Sequence, residues 1–262
     1  MMHLRSLFAV AVVAMSVAAP SWAQTPQWQR FAPAIALLQD KAVQADGLTL
    51  DLPSLSENGS AVALGVLFEG KLDDGDTLDA IHILSTANPN PEVIAFHLLD
   101  GRIVPEFHTR IRLSESQTVV AVATSRQGKA WVVEQPVRVT VSGCVGSLGS
   151  DDSASVQMQN PRVALPARHL AGRPLELRTV VQHPMETGLR TGPDGQVVAQ
   201  QLIHTMEVSL DGQPVVQTRF FSGTAANPYV RLSVNPGSAE AVQLVWTDQS
   251  GRQLSEERVF PA

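Results

Sequence analysis

TVVAVATSRQGKAWVVE, residues 118–134, decides how this chain is read. Two runs rich in β-branched residues, TVVAVATS and AWVVE, flank the turn signal RQGK, which is the pattern of one strand reversing into the next. The same pattern recurs in both directions. Upstream lie AVALGVLFE, LDAIHILS, EVIAFHLL and FHTRIRL, separated by ENGS, DDGD, NPNP and LDGR; downstream VRVTV follows. Short strands every dozen residues or so, with alternating patterning between polar turns, predict an antiparallel β-sandwich.

The series is interrupted by GSLGSDDSAS, residues 146–155, whose small polar composition predicts a flexible linker. A second series follows: LELRTVVQ, LIHTMEVSL, QPVVQTRFF, YVRLSV, AVQLVWTD and QLSEERVF, punctuated by PDG, LDGQ, NPGS and DQSG. It predicts a second, smaller sandwich. Before the first strands, QWQRFAPAIALLQDKAVQA places Phe31, Ile35, Leu38 and Val43 at roughly helical spacing with Pro33 in the first turn, which predicts a short amphipathic helix. The fold class expected is all-β, two sandwich domains with one short N-terminal helix before the first.

The N-terminus carries an address. MMHLRS is a short basic start, LFAVAVVAMSVAA is an apolar core too short to span a bilayer comfortably, and Ser21-Trp22-Ala23 is a small-x-small cleavage site after Pro20. The expectation is an exported protein, cleaved near Ala23 and released into a bacterial periplasm, with no membrane segment afterwards. The expected divisions are a signal peptide at 1–23, a first sandwich at 24–146, a linker at 147–160 and a second sandwich at 161–262. The formal net charge of −6, with no basic stripe, argues against nucleic acid and anionic membrane partners.

Cys144 is the only cysteine, in VTVSGCVGSLGS, residues 139–150. In an oxidising compartment a cysteine without an internal partner is a small buried residue, half of an intermolecular disulfide, or a reactive thiol. Gly143 and Gly146 free the backbone around it and give its side chain little to pack against. Activation needs a cation, a histidine base or a helix N-terminus. The near neighbours are Thr, Val, Ser and Gly, with Asp151 and Asp152 downstream, and Arg138 lies six residues back. The thiol therefore reads as a mobile handle that other proteins load and unload. A disulfide-linked homodimer through Cys144 is the remaining expectation for a lone thiol.

His82 and His97 lie inside strand patterns, and His108 begins another; no pair has metal-motif spacing. His183 and Met185 in HPM offer a soft donor pair suited to copper(I), against the alternative of a turn histidine beside a half-buried methionine. No carboxylate pair, GxSxG, P-loop or nucleotide fingerprint appears. No cofactor and no metal are expected, and the chain is not expected to be an enzyme.

The residues resemble a known pair of subunits. LDLPSLSENGSAV, TANPNPEVIAFHL, TRIRLSESQTVVAVA and the strand entering SGCVG are similar to SoxY; LRTVVQHPMETGLRT, FSGTAANPYVRLSV and VWTDQSG are similar to SoxZ. Together these form the sulfur carrier of bacterial sulfur oxidation, and the fused arrangement resembles the carriers associated with quinoprotein dehydrogenases. The resemblance implies immunoglobulin-like sandwiches packed side by side, and a carrier cysteine in a glycine-rich arm that reaches into partner active sites. That cysteine falls on Cys144, with arm glycines on Gly143 and Gly146. The implied partners are periplasmic sulfur-oxidation enzymes or a quinoprotein dehydrogenase system. A scaffold role for such a dehydrogenase and its cytochrome, with Cys144 incidental, is the alternative. Ser142 and Val145 stand where the family has glycine, and the arm continues into a second domain instead of ending. A loop of about 15 residues has an r.m.s. span of roughly 20 Å, so the resemblance implies a partner cleft wide enough for a looped peptide.

Overall fold

The computed structural model describes residues 25–142, 157–168, 170 and 172–261. The expected signal segment, most of the expected linker, and Cys144 with its flanking Gly143 and Gly146 lie outside the described residues.

The first half contributes β1 (Ala42–Gln44), β2 (Leu48–Asp51), β3 (Leu55–Ser56), β4 (Val62–Phe68), β5 (Leu78–Ser85), β6 (Glu92–Leu98), β7 (Ile103–Ile111), β8 (Gln117–Ser125) and β9 (Lys129–Val139). The second contributes β10 (Gln159–Ala164), β11 (Leu175–Gln182), β12 (Ile203–Leu210), β13 (Gln213–Phe220), β14 (Tyr229–Val234), β15 (Ala241–Asp248) and β16 (Gln253–Val259). The reversal at RQGK is a β8–β9 hairpin in which Val122 faces Val132 and Gly128 turns with φ +93°, a conformation that glycine adopts without steric cost.

Two expectations are refined. AWVVE and the first three residues of VRVTV form one continuous strand, because Pro136 sits between the two short edge partners of β9, where no ladder bond is asked of it. β1 pairs with residues 129–131 and β3 with 138–139, both in parallel. β7 begins at Ile103 rather than at Phe107, which puts His108 inside the strand.

The N-terminal helix is shorter than its spacing suggested. A 3-10 turn at Gln27–Arg30 leads into α1 (Ala32–Leu38), which ends where Gln39 takes φ 44°. Val43 leaves the helix and joins β1. Ala34 and Leu38 are buried against Leu84, Val120, Val122 and Ala130 on the outer face of the sheet, and Ile35 stays exposed. Ala42, Val43 and Gln44 find a strand partner in β9, and that pairing takes Val43 out of the helical pattern.

The strands form two sheets, in the orders β1-β9-β8-β5-β6-β13-β12-β15-β16 (with β3 against β9) and β10-β11-β14-β7-β4-β2. Each sheet runs through both halves. In the first, β6 pairs with β13, with Phe96 opposite Thr218; in the second, β7 pairs with β14, with Phe107 opposite Leu232. The rings of Phe96 and Phe107 stack across the core at 4.1 Å and 8°, joining the two sheets at the seam. One apolar core therefore extends from Leu50 to Trp246. Each large side chain fully buried in it contributes about 1.5–3 kcal/mol of transfer free energy.

Candidate functional site

β9 carries the chain toward Cys144, and its end is held on several sides. The amides of Arg138 and Thr140 donate to the Ser54 and Ser56 carbonyls at 2.9 and 3.1 Å, and the Thr140 hydroxyl donates to the Glu57 carbonyl at 3.1 Å. Ser116 Oγ accepts from the Val139 amide at 3.0 Å. Val141 is 61 % exposed, but its carbonyl accepts from the Gly59 amide at 2.9 Å. The chain is thus fixed up to Val141, and Cys144 follows three residues later.

The chain returns at Gln157 on the same end of the sandwich. Arg252 Nη1 donates to Gln157 Oε1, and Met158 is buried. Gln157 lines a cavity of about 380 Å³ together with His183, Leu202, Asp248, Ser250 and Arg252. Burial pushes the Asp248 carboxyl up, but Ser250, the Ser250 and Arg252 amides and nearby His183 outweigh it and hold it below the usual carboxylate range.

The HPM turn lies at this end. His183 Nδ1 accepts from the Met185 amide at 3.0 Å, and the His183 amide donates to Asn227 Oδ1 at 3.0 Å. Met185 is fully buried, and its Sδ accepts from the Ile203 amide at 3.4 Å. Of the atoms singled out for copper(I), His183 Nδ1 and Met185 Sδ are therefore each engaged by a backbone amide. Among the described residues, no group of three His, Cys, Asp or Glu side chains gathers as a metal site. Asn227 belongs to the ANPY stretch, so HPM and ANPY meet as one junction.

Sequence reasoning missed Arg112. Its guanidinium donates to the Met185 and Pro184 carbonyls at 2.8 and 2.9 Å, across the seam, and its amide donates to the Gly223 carbonyl at 2.7 Å. Arg112 sits in RIRL as one more arginine after a strand, and the carbonyls it holds are 72 and 73 residues away in sequence.

His82 and His97 come together on the outer face, with ring centroids 5.6 Å apart at 88°. Burial, then the neighbouring His97, lowers the His82 pKa to about 4; Arg219 and Lys41 add to this and Asp79 opposes it. Burial, then Arg219, also lowers His97. In the unfolded chain an imidazole titrates near its ordinary value of about 6.5. Between these values the unfolded state binds more protons, so the contribution is complete above about pH 6.5 and is lost as pH falls toward 4. For His82 the loss is about 2 kcal/mol by pH 5. Urea unfolding at pH 7.5 and 5.0 is expected to show it, and His82→Gln is expected to remove most of it; an unchanged difference in that variant would refute this assignment.

The fold and the chain's exit from β9 define an all-β protein of two joined immunoglobulin-like sandwiches. Residues 34–144 match the family of the sulfur oxidation protein SoxY, ending at Cys144, and residues 163–258 match that of the sulphur oxidation protein SoxZ. The chain belongs to these families as a single-chain SoxY–SoxZ fusion, a component of sulfur oxidation that works with sulfur-oxidation enzymes. No curated protein sequence matches it. Similar solved structures include a superoxide reductase (neelaredoxin) E23A variant from Ignicoccus hospitalis, at 13 % identity and a TM-score of 0.32, covering 41 % of this chain and 86 % of that one. A putative superoxide reductase from Thermotoga maritima matches at 14 % identity and a TM-score of 0.34, covering 39 % of this chain and 96 % of that one.

Proposed function

We propose that the chain is a periplasmic carrier, not itself an enzyme, that holds sulfur-containing intermediates covalently on Cys144 while partner enzymes process them. The observation that carries this reading is the coincidence of the SoxY match, ending at Cys144, with the only thiol of the chain, two residues beyond the last described residue of the β9 exit. Forming a thiosulfonate adduct from the Cys144 thiol and a thiosulfate-type anion makes one S–S bond. It releases the thiol proton and two electrons, which a partner enzyme of redox type accepts. The residues near Cys144 in sequence supply no base and no cation, so activation is left to the partner's site.

Its partners are sulfur-oxidation enzymes of the same compartment or a quinoprotein dehydrogenase system, and a Cys144–Cys144 disulfide forms between idle copies. The test is intact and peptide mass spectrometry of protein from native cells, alkylated at once without reductant. A reducible mass of added sulfur or sulfonate on the Cys144 peptide is expected. A plain alkylated thiol under all growth conditions would overturn the reading and favour the scaffold role.

A further inference from the structure

The carrier reading leaves the HPM and ANPY stretches without a task, and the hydrogen bonds around them supply one. From the first half, the Val141 carbonyl is held by the Gly59 amide, and the Gly59 carbonyl in turn by the Leu113 amide at 2.8 Å. The next residue back is Arg112, whose fork holds the Pro184 and Met185 carbonyls. From the second half, Gln159 at the start of β10 is registered against Gln182 at the end of β11, and Asn160 Nδ2 donates to Gln182 Oε1 at 2.6 Å. His183 follows directly, and the Asn227 amide donates to its carbonyl at 2.7 Å. Both ends of residues 143–156 are thus tied, within a few bonded steps, to one turn.

We propose that Arg112 and the His183-Pro184-Met185 turn, closed by Asn227, form a positioning device for Cys144, fixing the exit at Val141 and the return at Gln157 relative to each other. The proposal rests on the carrier reading for its purpose. A segment of 14 residues has a fixed contour length, so the separation of its two anchors sets where Cys144 can be presented. A free-ended arm needs one anchor; a segment joined to the chain at both ends needs two, and here they lie on different halves. A guanidinium fork suits the task because it binds two consecutive carbonyls at once, which a lysine ammonium cannot do in the same geometry. Gly223, whose carbonyl takes the Arg112 amide, lies so near Val93 that a Cβ would come within 3.0 Å of it, so a residue without a side chain is needed there.

The test attaches a nitroxide to Cys144, the only cysteine, and measures paramagnetic broadening of backbone amide signals in the full chain. In Arg112→Met, broadening of the second-half amides of Gln182, Gly223 and Asn227 is expected to change about twofold or more, while Gly59 and Ser116 keep theirs. Thr109→Val is the control for general weakening of the seam: it removes the bond from the Thr109 hydroxyl to the Tyr229 carbonyl, at 2.8 Å, and touches neither anchor. It is expected to leave the pattern unchanged. Arg112→Lys keeps the charge, is expected to shift the pattern in the same direction, and decides the matter if Arg112→Met does not fold. A pattern in the Arg112 variants that matches the Thr109→Val control overturns the proposal. The label takes the place of any cargo on Cys144 and reports position alone, so that failure leaves the carrier reading standing, and a missing sulfur adduct leaves this result standing.

Discussion

Replacing Phe96 with alanine is expected to destabilise the chain by about 3–5 kcal/mol and to lower the melting of both halves together. The ring is fully buried and stacks on Phe107, and each of these residues sits on the strand that pairs across the seam, β6 with β13 and β7 with β14. A cavity there removes contacts that both sheets share. For a chain of this size the loss corresponds to a fall in Tm of roughly 10 °C. Calorimetry, with fluorescence from Trp131 in the first half and Trp246 in the second, both buried, checks it. One shifted transition with coincident signals is expected. Two transitions, of which only the first moves, would mean that the halves fold independently and that the seam carries little of the stability.

Cys144→Ser is expected to abolish cargo attachment completely and with it the contribution to sulfur oxidation, while Tm stays within about 1 °C. Serine keeps the size and the hydrogen-bonding capacity, but its alcohol does not form the S–S bond of a persulfide or thiosulfonate. The described strands run within Ala42–Val139 and Gln159–Val259, and their pairing and core do not draw on the thiol. Complementation of a deletion strain, with oxygen uptake on a reduced sulfur compound, gives the functional readout. A non-reducing gel shows whether the dimer band disappears with the thiol. Retained uptake in the serine variant would assign the chain to scaffolding and make Cys144 incidental.

Much of the molecule was legible in its sequence, because strands and turns are written locally. LDAIHILS, LELRTVVQ and YVRLSV coincide with β5, β11 and β14 to the residue. Alternation, β-branching and turn residues act over a few positions, and one chain is enough to read them. The short edge pieces β1 and β3 were not legible: each is defined by a parallel partner in β9, about 85 residues away, and not by its own composition. Val43 illustrates this, since it fits a helical stripe by spacing and belongs to a strand by pairing.

By itself, then, the sequence determined the fold class, the position of the single thiol and the two series of strands, all properties of nearest neighbours along the chain. Only the tertiary structure decided that the two series share both sheets and one core. That sharing depends on the registers of β6 with β13 and β7 with β14, more than a hundred residues apart, which no local pattern encodes. It also decided the work of His183 and Met185. On paper the pair suits a soft metal, but in the folded chain His183 Nδ1 and Met185 Sδ each accept from a backbone amide and so brace the turn, and Arg112 reaches across the seam to hold it. Which partner a polar atom meets is settled by packing, because a buried donor or acceptor left unpaired costs more than almost any single contact contributes.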